Sequence, residues 1–469
     1  MRALWKLGER GVVVGAFLAL PLALFVLGVM VVVTALQAGL WADMHALEEA
    51  GLVLTGRSLA LPGGAALPYL GVAQVREGSA AAALGIARGD VLVEVGGVPV
   101  ERPLAAWSAL ARLPGPRREV PLRWIPRAEA LLGALQTRAE AGRTLVTLAA
   151  PSPQAQDLGL RAGDVLLALE DVPIAGARQL WEAAVRLARE GRLPARLQVR
   201  RGEETLELLW DPRRSGVLPV ERNAWRAWRA LLTRLGDPRY PEQAGLLPAL
   251  LGSLGVVLVM AAVAFPLGIA AAIYLEEYAR QTRLTAALEV LVASLAGLPS
   301  AVVGLLGLEI FARAMNLGRS ILAGGFTLAV LVLPLVIIAS REALRTVPRT
   351  LREAAFSVGA TPWQTVRHHV LPYALPGILT GVVLSLSRAL GEAAPLLFLG
   401  AFLYVTYVPQ SLRDSFTVVP IQIFDWATRP QDGYAAVAAC AILVLLGLVL
   451  LLNALAILLR ARFQRRWAE

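Results

Sequence analysis

Arg352-Glu353-Ala354-Ala355-Phe356-Ser357-Val358-Gly359-Ala360-Thr361-Pro362-Trp363-Gln364-Thr365-Val366-Arg367-His368-His369-Val370-Leu371-Pro372 reads as two short helices with a break between them. Gly359 permits the left-handed turn that ends the first. Thr361 then serves as an N-cap, Pro362 takes the first helical position, and Gln364 stands where a capping box wants it. Pro372 is expected to kink the second helix and redirect the chain. Long uncharged stretches flank the segment, so it reads as a compact knob between two membrane-crossing helices.

Those stretches set the solvent. The 469 residues are 57% hydrophobic and 17% charged, and about 20 apolar residues of helix cross a bilayer core. Six runs are long enough: Gly11 to Ala42, Ala244 to Leu275, Val290 to Leu308, Ser320 to Ser340, Val370 to Leu412, and Gly433 to Leu459. Only Arg388 and Glu392 interrupt the fifth. Arg2, Lys6 and Arg10 precede the first run as in a signal peptide, but the uncharged stretch exceeds a signal core and is read as a retained span. Placing the N-terminus in the cytoplasm puts Arg280, Arg283, Arg341, Arg345, Arg349, Arg352, Arg367 and the tail arginines 460, 462, 465 and 466 there too, as the positive-inside rule asks. Both termini are then cytoplasmic. The net charge of +10 is accounted for by topology and lipid headgroups, with no nucleic-acid partner required.

Scarce residues exclude several chemistries. Lys6 is the only lysine, so no Gly-x-x-x-x-Gly-Lys-Ser/Thr phosphate loop exists and the chain cannot hydrolyse ATP in that way. Cys440 is the only cysteine, which excludes an intrachain disulfide. His45, His368 and His369 are the only histidines, and the adjacent pair lacks the i, i+4 spacing of a His-Glu-x-x-His zinc site. No metal site is expected. A membrane protease and a non-transporting scaffold are the rivals from other classes, and both are disfavoured on these grounds.

Between the first two runs lies a soluble insert of about 200 residues, room for two domains. An internal repeat supports two. Leu84-Gly85-Ile86, Gly89-Asp90-Val91-Leu92 and Val98-Pro99 recur as Leu158-Gly159-Leu160, Gly163-Asp164-Val165-Leu166 and Val172-Pro173, all at an offset of 74. Each block reads as a Gly-Asp turn launching an apolar strand, a tight turn, then a helix, Leu104 to Arg112 and Ala177 to Arg189. The pattern resembles bacterial PDZ domains, and Tyr69-Leu70-Gly71-Val72 resembles their carboxylate-binding loop. That resemblance implies capture of a peptide C-terminus by strand addition, with a rigid spacer as the alternative. The second copy has Arg143-Thr144-Leu145-Val146 at that place, a poor match. Topology puts both copies outside the cytoplasm. Before the second run, Trp225, Trp228, Leu232 and Leu235 are expected on one helical face and Arg222, Arg226 and Arg229 on another, as in an interfacial helix.

Glu353-Ala354-Ala355, Gly359 and Leu371-Pro372 at this spacing resemble the coupling loop of ABC importer permeases, with His369 departing from the usual aliphatic residue. Leu247 to Ser253, Pro266 to Tyr278, Gly297 to Leu305, Ser387 to Leu396, Val419 to Ile423 and Leu452 to Arg460 resemble the PstA-type permease of phosphate importers. The insert is not part of that family's usual pattern. The resemblance implies a polytopic α-helical protein with six transmembrane helices and a MetI-like ABC permease core, carrying two inserted extracytoplasmic α+β PDZ-like domains. The expected division is 1–42 (first span), 43–130 and 131–215 (the PDZ-like pair), 216–244 (interfacial linker) and 245–469 (core), with the coupling loop at 341–372. It implies an inner-membrane transport subunit, not an enzyme, that binds no cofactor itself. The implied partners are a PstC-type permease, a PstB-type ATPase dimer carrying ATP and Mg, an extracytoplasmic phosphate-binding protein, and membrane lipid. A permease for sulfate, molybdate or phosphonate is the nearest alternative.

Arg388 and Glu392 need a reason to lie in an apolar run, because each charge at mid-membrane costs ~2.5 to 3.5 kcal/mol on insertion scales. Four apart, they share a helix face and can pair. A guanidinium matches a tetrahedral oxyanion with two parallel hydrogen bonds. Arg388 is therefore the candidate for an anion path with Glu392 as counter-charge, and a packing ion pair is the alternative. Ser387 and Ser300 are weaker candidates. Glu309 and Arg313, also four apart, read as a surface pair.

Overall fold

A computed structural model describes residues 30–35, 37–60, 66–140, 143–280 and 282–466. Helix α1 (Met30–Glu49) continues past the apolar run, so the span expected to end at Ala42 runs on into charged residues. The part of that run before residue 30 lies outside the described residues. Beyond α1 the first inserted domain begins, with β1 (Leu52–Ala60), β2 (Ala66–Val75), α2 (Ala80–Ala83), β3 (Val91–Val95), β4 (Val98–Pro99), α3 (Pro103–Ala111) and β5 (Arg117–Ile125). The second contains α4 (Ala128–Leu131), β6 (Gly133–Glu140), β7 (Arg143–Pro151), α5 (Pro153–Asp157), β8 (Val165–Leu169), β9 (Val172–Pro173), α6 (Ala177–Arg189), β10 (Ala195–Arg201) and β11 (Glu204–Trp210).

Strand β12 (Arg214–Glu221) then returns to the first domain and pairs antiparallel with β5, from Arg214 opposite Trp124 to Glu221 opposite Arg117. The first sheet has the order β1-β2-β3-β5-β12 and the second β11-β10-β8-β7-β6, with β4 and β9 on β3 and β8. In the second copy β10 and β11 form a hairpin about Gly202. The first copy carries the whole second domain in that hairpin. The expected boundary at 215/216 therefore falls inside a strand of the first domain, and the two domains are nested, not tandem. Both Gly-Asp turns work alike. Asp90 accepts from the backbone N–H of Ala87 and Arg127, at 2.9 and 2.8 Å, and Asp164 from the N–H of Arg161 at 2.8 Å.

Helix α7 (Ala224–Thr233) buries Ala227, Ala230 and Leu231, while Trp225 is 76% exposed. The buried stripe is thus rotated from the expected Trp225–Leu232 face. The small alanines let α7 approach α1, whose Trp41 indole donates to the carbonyl of Ala227 at 3.1 Å.

The core comprises α8 (Leu247–Ile273), α9 (Arg283–Ala296), α10 (Ser300–Gly307), α11 (Ile321–Arg345), α12 (Arg349–Ser357), α13 (Pro362–Thr365), α14 (Leu371–Gly391), α15 (Ala394–Leu399), α16 (Val419–Thr428) and α17 (Tyr434–Arg466). Among the described residues five helices are long and apolar enough to cross a membrane, and a sixth if α9 and α10 count as one span. Those two meet at 102°, so the expected straight span over Val290–Leu308 is broken at Gly297-Leu298-Pro299, where proline cannot donate to the preceding turn. The fifth run also divides. Its helix stops at Gly391, and Gly400 takes a left-handed turn (φ 95°) into an irregular segment. Small residues bring the long helices together, as is usual inside membranes. Gly325 of α11 sits against Val259 of α8, and Gly304 of α10 against the backbone of Pro395.

Ahead of α8, a single 3₁₀ turn (Pro241–Gln243) places Glu242 at 0% exposure, with only the backbone N–H groups of Leu54 and of Glu242 itself approaching its carboxylate, neither in good hydrogen-bond geometry. Burial pushes its carboxyl from 4.5 up to about 8, and the charge of Glu48 adds to this. The folded chain thus holds a proton that the unfolded chain releases above about 4.5. Stability from this group is expected to fall as pH rises from about 4.5 to about 8 and to level off above. Melting of the detergent-solubilised chain checks this: Glu242→Gln should remove that slope and raise the melting temperature at pH 8 relative to wild type.

Candidate functional site

The knob after α11 forms as its residues dictate. Gly359 adopts φ 84°, and the N–H of Ala360 returns to the carbonyl of Ala355 at 3.1 Å. The hydroxyl of Thr361 accepts from the N–H of Gln364 at 3.3 Å, and the Gln364 side chain accepts from the N–H of Thr361 at 2.9 Å, closing the capping box. Pro372 does not break the second helix. A widened π-type stretch, Val366–Val370, precedes Leu371 and Pro372 and absorbs the missing donor, so helix runs unbroken from Pro362 to Gly391.

One face of the knob is open and apolar. Val358 is 82% exposed, Phe356 and Trp363 about half, and Glu353 and Ala354 are exposed beside them, whereas Ala355 is buried. The opposite face is fastened. Arg352 of α12 donates two hydrogen bonds to Glu277 at 2.6 and 3.1 Å and two more to the carbonyls of Leu344 and Val347. Arg345 and Arg341 of α11 reach Glu276 at 3.1 and 3.4 Å, and Arg341 also meets Glu289 of α9 at 2.6 Å. Ala272, Leu344, Val347, Val370 and Ala374 form a small apolar core beneath these pairs. A push on the knob therefore reaches the ends of α8, α9, α11 and α14 together. Sequence reading missed Arg352, Glu276 and Glu277. The visible signal was an adjacent acidic pair ending one span and arginines at 341, 345 and 352 ending another.

Arg388 and Glu392 are brought together, Nε to Oε1 at 3.3 Å, at the end of α14, with the arginine side chain 56% exposed and the glutamate 23%. Glu392 also faces a narrow gap beside Ser253, Leu390 and Val418. Ser387 is engaged elsewhere, donating to Asn453 of α17 at 2.5 Å. Ser300 opens α10 and makes no side-chain hydrogen bond among the described residues. Glu309 and Arg313 pair on the surface.

Tyr69-Leu70-Gly71-Val72 cannot accept an added strand. The stretch lies inside β2, paired to β1 on one side (Arg57 opposite Tyr69, Gly56 opposite Leu70) and to β3 on the other (Leu70 opposite Leu92, Gly71 opposite Val91). Tyr69 instead stacks edge-on against Trp181 of the second domain, ring centroids 5.6 Å apart. The edges of this sheet are β1 and β12.

The family model described as "Binding-protein-dependent transport system inner membrane component" matches residues 264–468, and a PDZ domain model matches 71–122. Phosphate transport system permease protein PstA 1 of Mycobacterium tuberculosis (strain CDC 1551 / Oshkosh) is 34% identical over 264 residues, 55% of this chain and 83% of that protein. PstA of Pasteurella multocida (strain Pm70) is 35% identical over 45% of this chain and 75% of its own length. The probable ABC transporter permease protein YqgH of Bacillus subtilis (strain 168) is 37% identical over 38% of this chain, and the match spans 57% of that relative.

The Arg352–Glu277 bridge gives a direct test. Arg352→Glu and Glu277→Arg should each lower the thermal stability of the solubilised chain, and the double exchange should recover part of the loss. The expected coupling is ~0.5 to 3 kcal/mol, the range for residues in contact; strictly additive losses would show that the bridge carries nothing.

Proposed function

This chain belongs to the family of binding-protein-dependent transport system inner membrane components, with PstA-type phosphate permeases as its relatives, and on that premise we propose that it forms half the translocation pathway of an ATP-driven phosphate importer. The observation that carries the coupling reading is the knob: an exposed apolar tip on a base bridged to four long helices. An apolar, capped projection of this kind suits a groove on a separate ATPase dimer of the PstB type, which binds ATP and Mg. Closure of that dimer would tilt the attached helices as one body. Glu353, Ala354 and Gly359 meet the ATPase or shape the tip, while Ala355, Leu371 and Pro372 set its base. The arginine-rich ends at 341–352 support a cytoplasmic knob by the positive-inside rule, and the reading sets both termini on that side and the inserted PDZ-like pair on the outer side of the inner membrane. A PstC-type permease completes the pathway, and an extracytoplasmic phosphate-binding protein delivers the anion.

Arg388 is the cation this chain offers to that path, and Glu392 neutralises it when the path is empty. Exchange of a carboxylate for a phosphate oxygen keeps the guanidinium hydrogen-bonded throughout, which avoids a bare charge near the membrane.

Two outcomes are expected. With Cys440 changed to Ser, Val358→Cys should cross-link to a cysteine in the ATPase groove of the assembled transporter, and an accessible but unlinked cysteine would remove the docking reading. Arg388→Gln should lower phosphate uptake at least tenfold while leaving the complex assembled on a sizing column; uptake at the wild-type rate would reduce the pair to a packing contact.

A further inference from the structure

α13, the widened stretch Val366–Val370 and α14 make one unbroken helix, and its charges fix how deep it sits. The 18 residues from Val370 to Ser387 carry no charge, and at 1.5 Å per residue they cover about 27 Å, close to the ~30 Å of a hydrocarbon core. Arg388 closes that stretch at one end. Arg367, His368 and His369 close it at the other, so they fall in the headgroup layer, which adds about 5 to 7 Å on each side.

All three side chains face outward there. Val366 and Val370 are buried on the inner side of the widened turn, and Arg367, His368 and His369 between them are exposed. Trp363, four residues before Arg367, and Tyr373, four after His369, are each more than half exposed and flank them. Aromatic rings beside cations are what the boundary between membrane and water selects. Tyr274 and Tyr278 are also exposed, at the end of α8 that Glu277 ties to Arg352. Protein supplies this face with no counter-charge. No Asp or Glu occurs between Glu353 and Glu392, and Glu276, Glu277 and Glu289 on the packed helices are taken by Arg341, Arg345 and Arg352. Arg367, His368 and His369 thus have no carboxylate partner among the described residues. A cationic face at headgroup depth complements the phosphate of an anionic lipid.

We propose that this face binds the headgroup of an anionic phospholipid in the leaflet beside the knob, its phosphate accepting hydrogen bonds from Arg367 and the two imidazoles, with Trp363 and Tyr373 against the glycerol region. A lipid held there pins the joint between the knob and α14, so the tip and the span move together. An acidic patch on the ATPase would match the charge but not two rings set at the membrane border. The inference rests on α14 as a span and not on which anion the core transports.

The full-length chain can be placed in nanodiscs of equal parts phosphatidylcholine and phosphatidylglycerol, with a trace of either lipid carrying a photoreactive headgroup, and the label mapped by mass spectrometry after irradiation. Photoreactive phosphatidylglycerol should label residues 363–373 of wild type about fivefold more than photoreactive phosphatidylcholine does, the factor expected for one arginine near an anionic surface. Arg367→Gln combined with His368→Gln and His369→Gln should remove that preference. Equal labelling by the two lipids, or an unchanged preference in the triple variant, would overturn the proposal. Loss of the label in excess inorganic phosphate would assign the face to a soluble anion, and loss on assembly with the ATPase would assign it to that protein; either would overturn it too. Should the triple variant misfold, the comparison of the two lipids on wild type decides alone. Uptake is not read, so no outcome bears on the cargo.

Discussion

A set of ion pairs centred on two buried carboxylates at the C-terminal end of α1 holds the two halves of this molecule together. Asp43, 1% exposed, meets Arg118 of β5 and Arg222 ahead of α7, both at 3.1 Å. Arg118 is further held by the carbonyls of Leu110 and Gly115. One turn on, Glu48 pairs with Arg76 and Arg234, both at 3.0 Å. Asp43 and Arg118 are both buried, and losing either would strand the other at a cost of ~3 to 5 kcal/mol, whereas Arg222, Arg234 and Arg76 keep 36, 38 and 56% of their side chains exposed and their pairs are screened by solvent. The pairs therefore fix where the inserted domain, α7 and α1 must sit. Around them one continuous apolar core joins Trp41 and Met44 of α1, Trp107 and Trp124 of the first domain, Leu231 of α7, and Tyr434 and Cys440 of α17.

That junction explains what the sequence made legible and what it hid. The 74-residue repeat, the helices at Leu104 and Ala177 and the capping box at Thr361 are local patterns and appear as read, whereas of the apolar runs the third is bent and the fifth divides. Pairing of β5 with β12 joins residues 90 to 104 positions apart, and nothing in either strand announces its partner. Nesting of the second domain was hidden for that reason. The same holds for Tyr69 to Val72, whose motif was visible while its two flanking strands were not. Asp43 and Glu48 announce no partner in the sequence, because their arginines lie 28 to 186 residues away. At Pro372 and Pro299 proline was given the wrong weight in opposite directions: a widened turn absorbed the first, and a glycine two residues earlier made the second a sharp break.

Within the candidate site, the knob was legible almost to the residue, since caps and turns are set by their own side chains. Its base was not, because Arg352, Glu276 and Glu277 matter only through contacts between chain segments about 75 residues apart. Arg388 and Glu392 pair as their spacing required, and Ser387 left the group because Asn453 claims it.

The account then describes a relay without an engine. Ion pairs at the knob's base gather α8, α9, α11 and α14 behind one exposed tip, and the pairs at Asp43 and Glu48 bind the first inserted domain to the same body. With Lys6 as its only lysine, the chain has no Gly-x-x-x-x-Gly-Lys-Ser/Thr phosphate loop, and the proposed function has energy enter through that tip. Uptake of radiolabelled phosphate into vesicles containing the assembled permeases, ATPase and binding protein tests this most directly. The account predicts accumulation that requires ATP and is displaced by excess phosphate but not by sulfate, molybdate or phosphonate. Accumulation without the ATPase, or equal displacement by another of those anions, would contradict it.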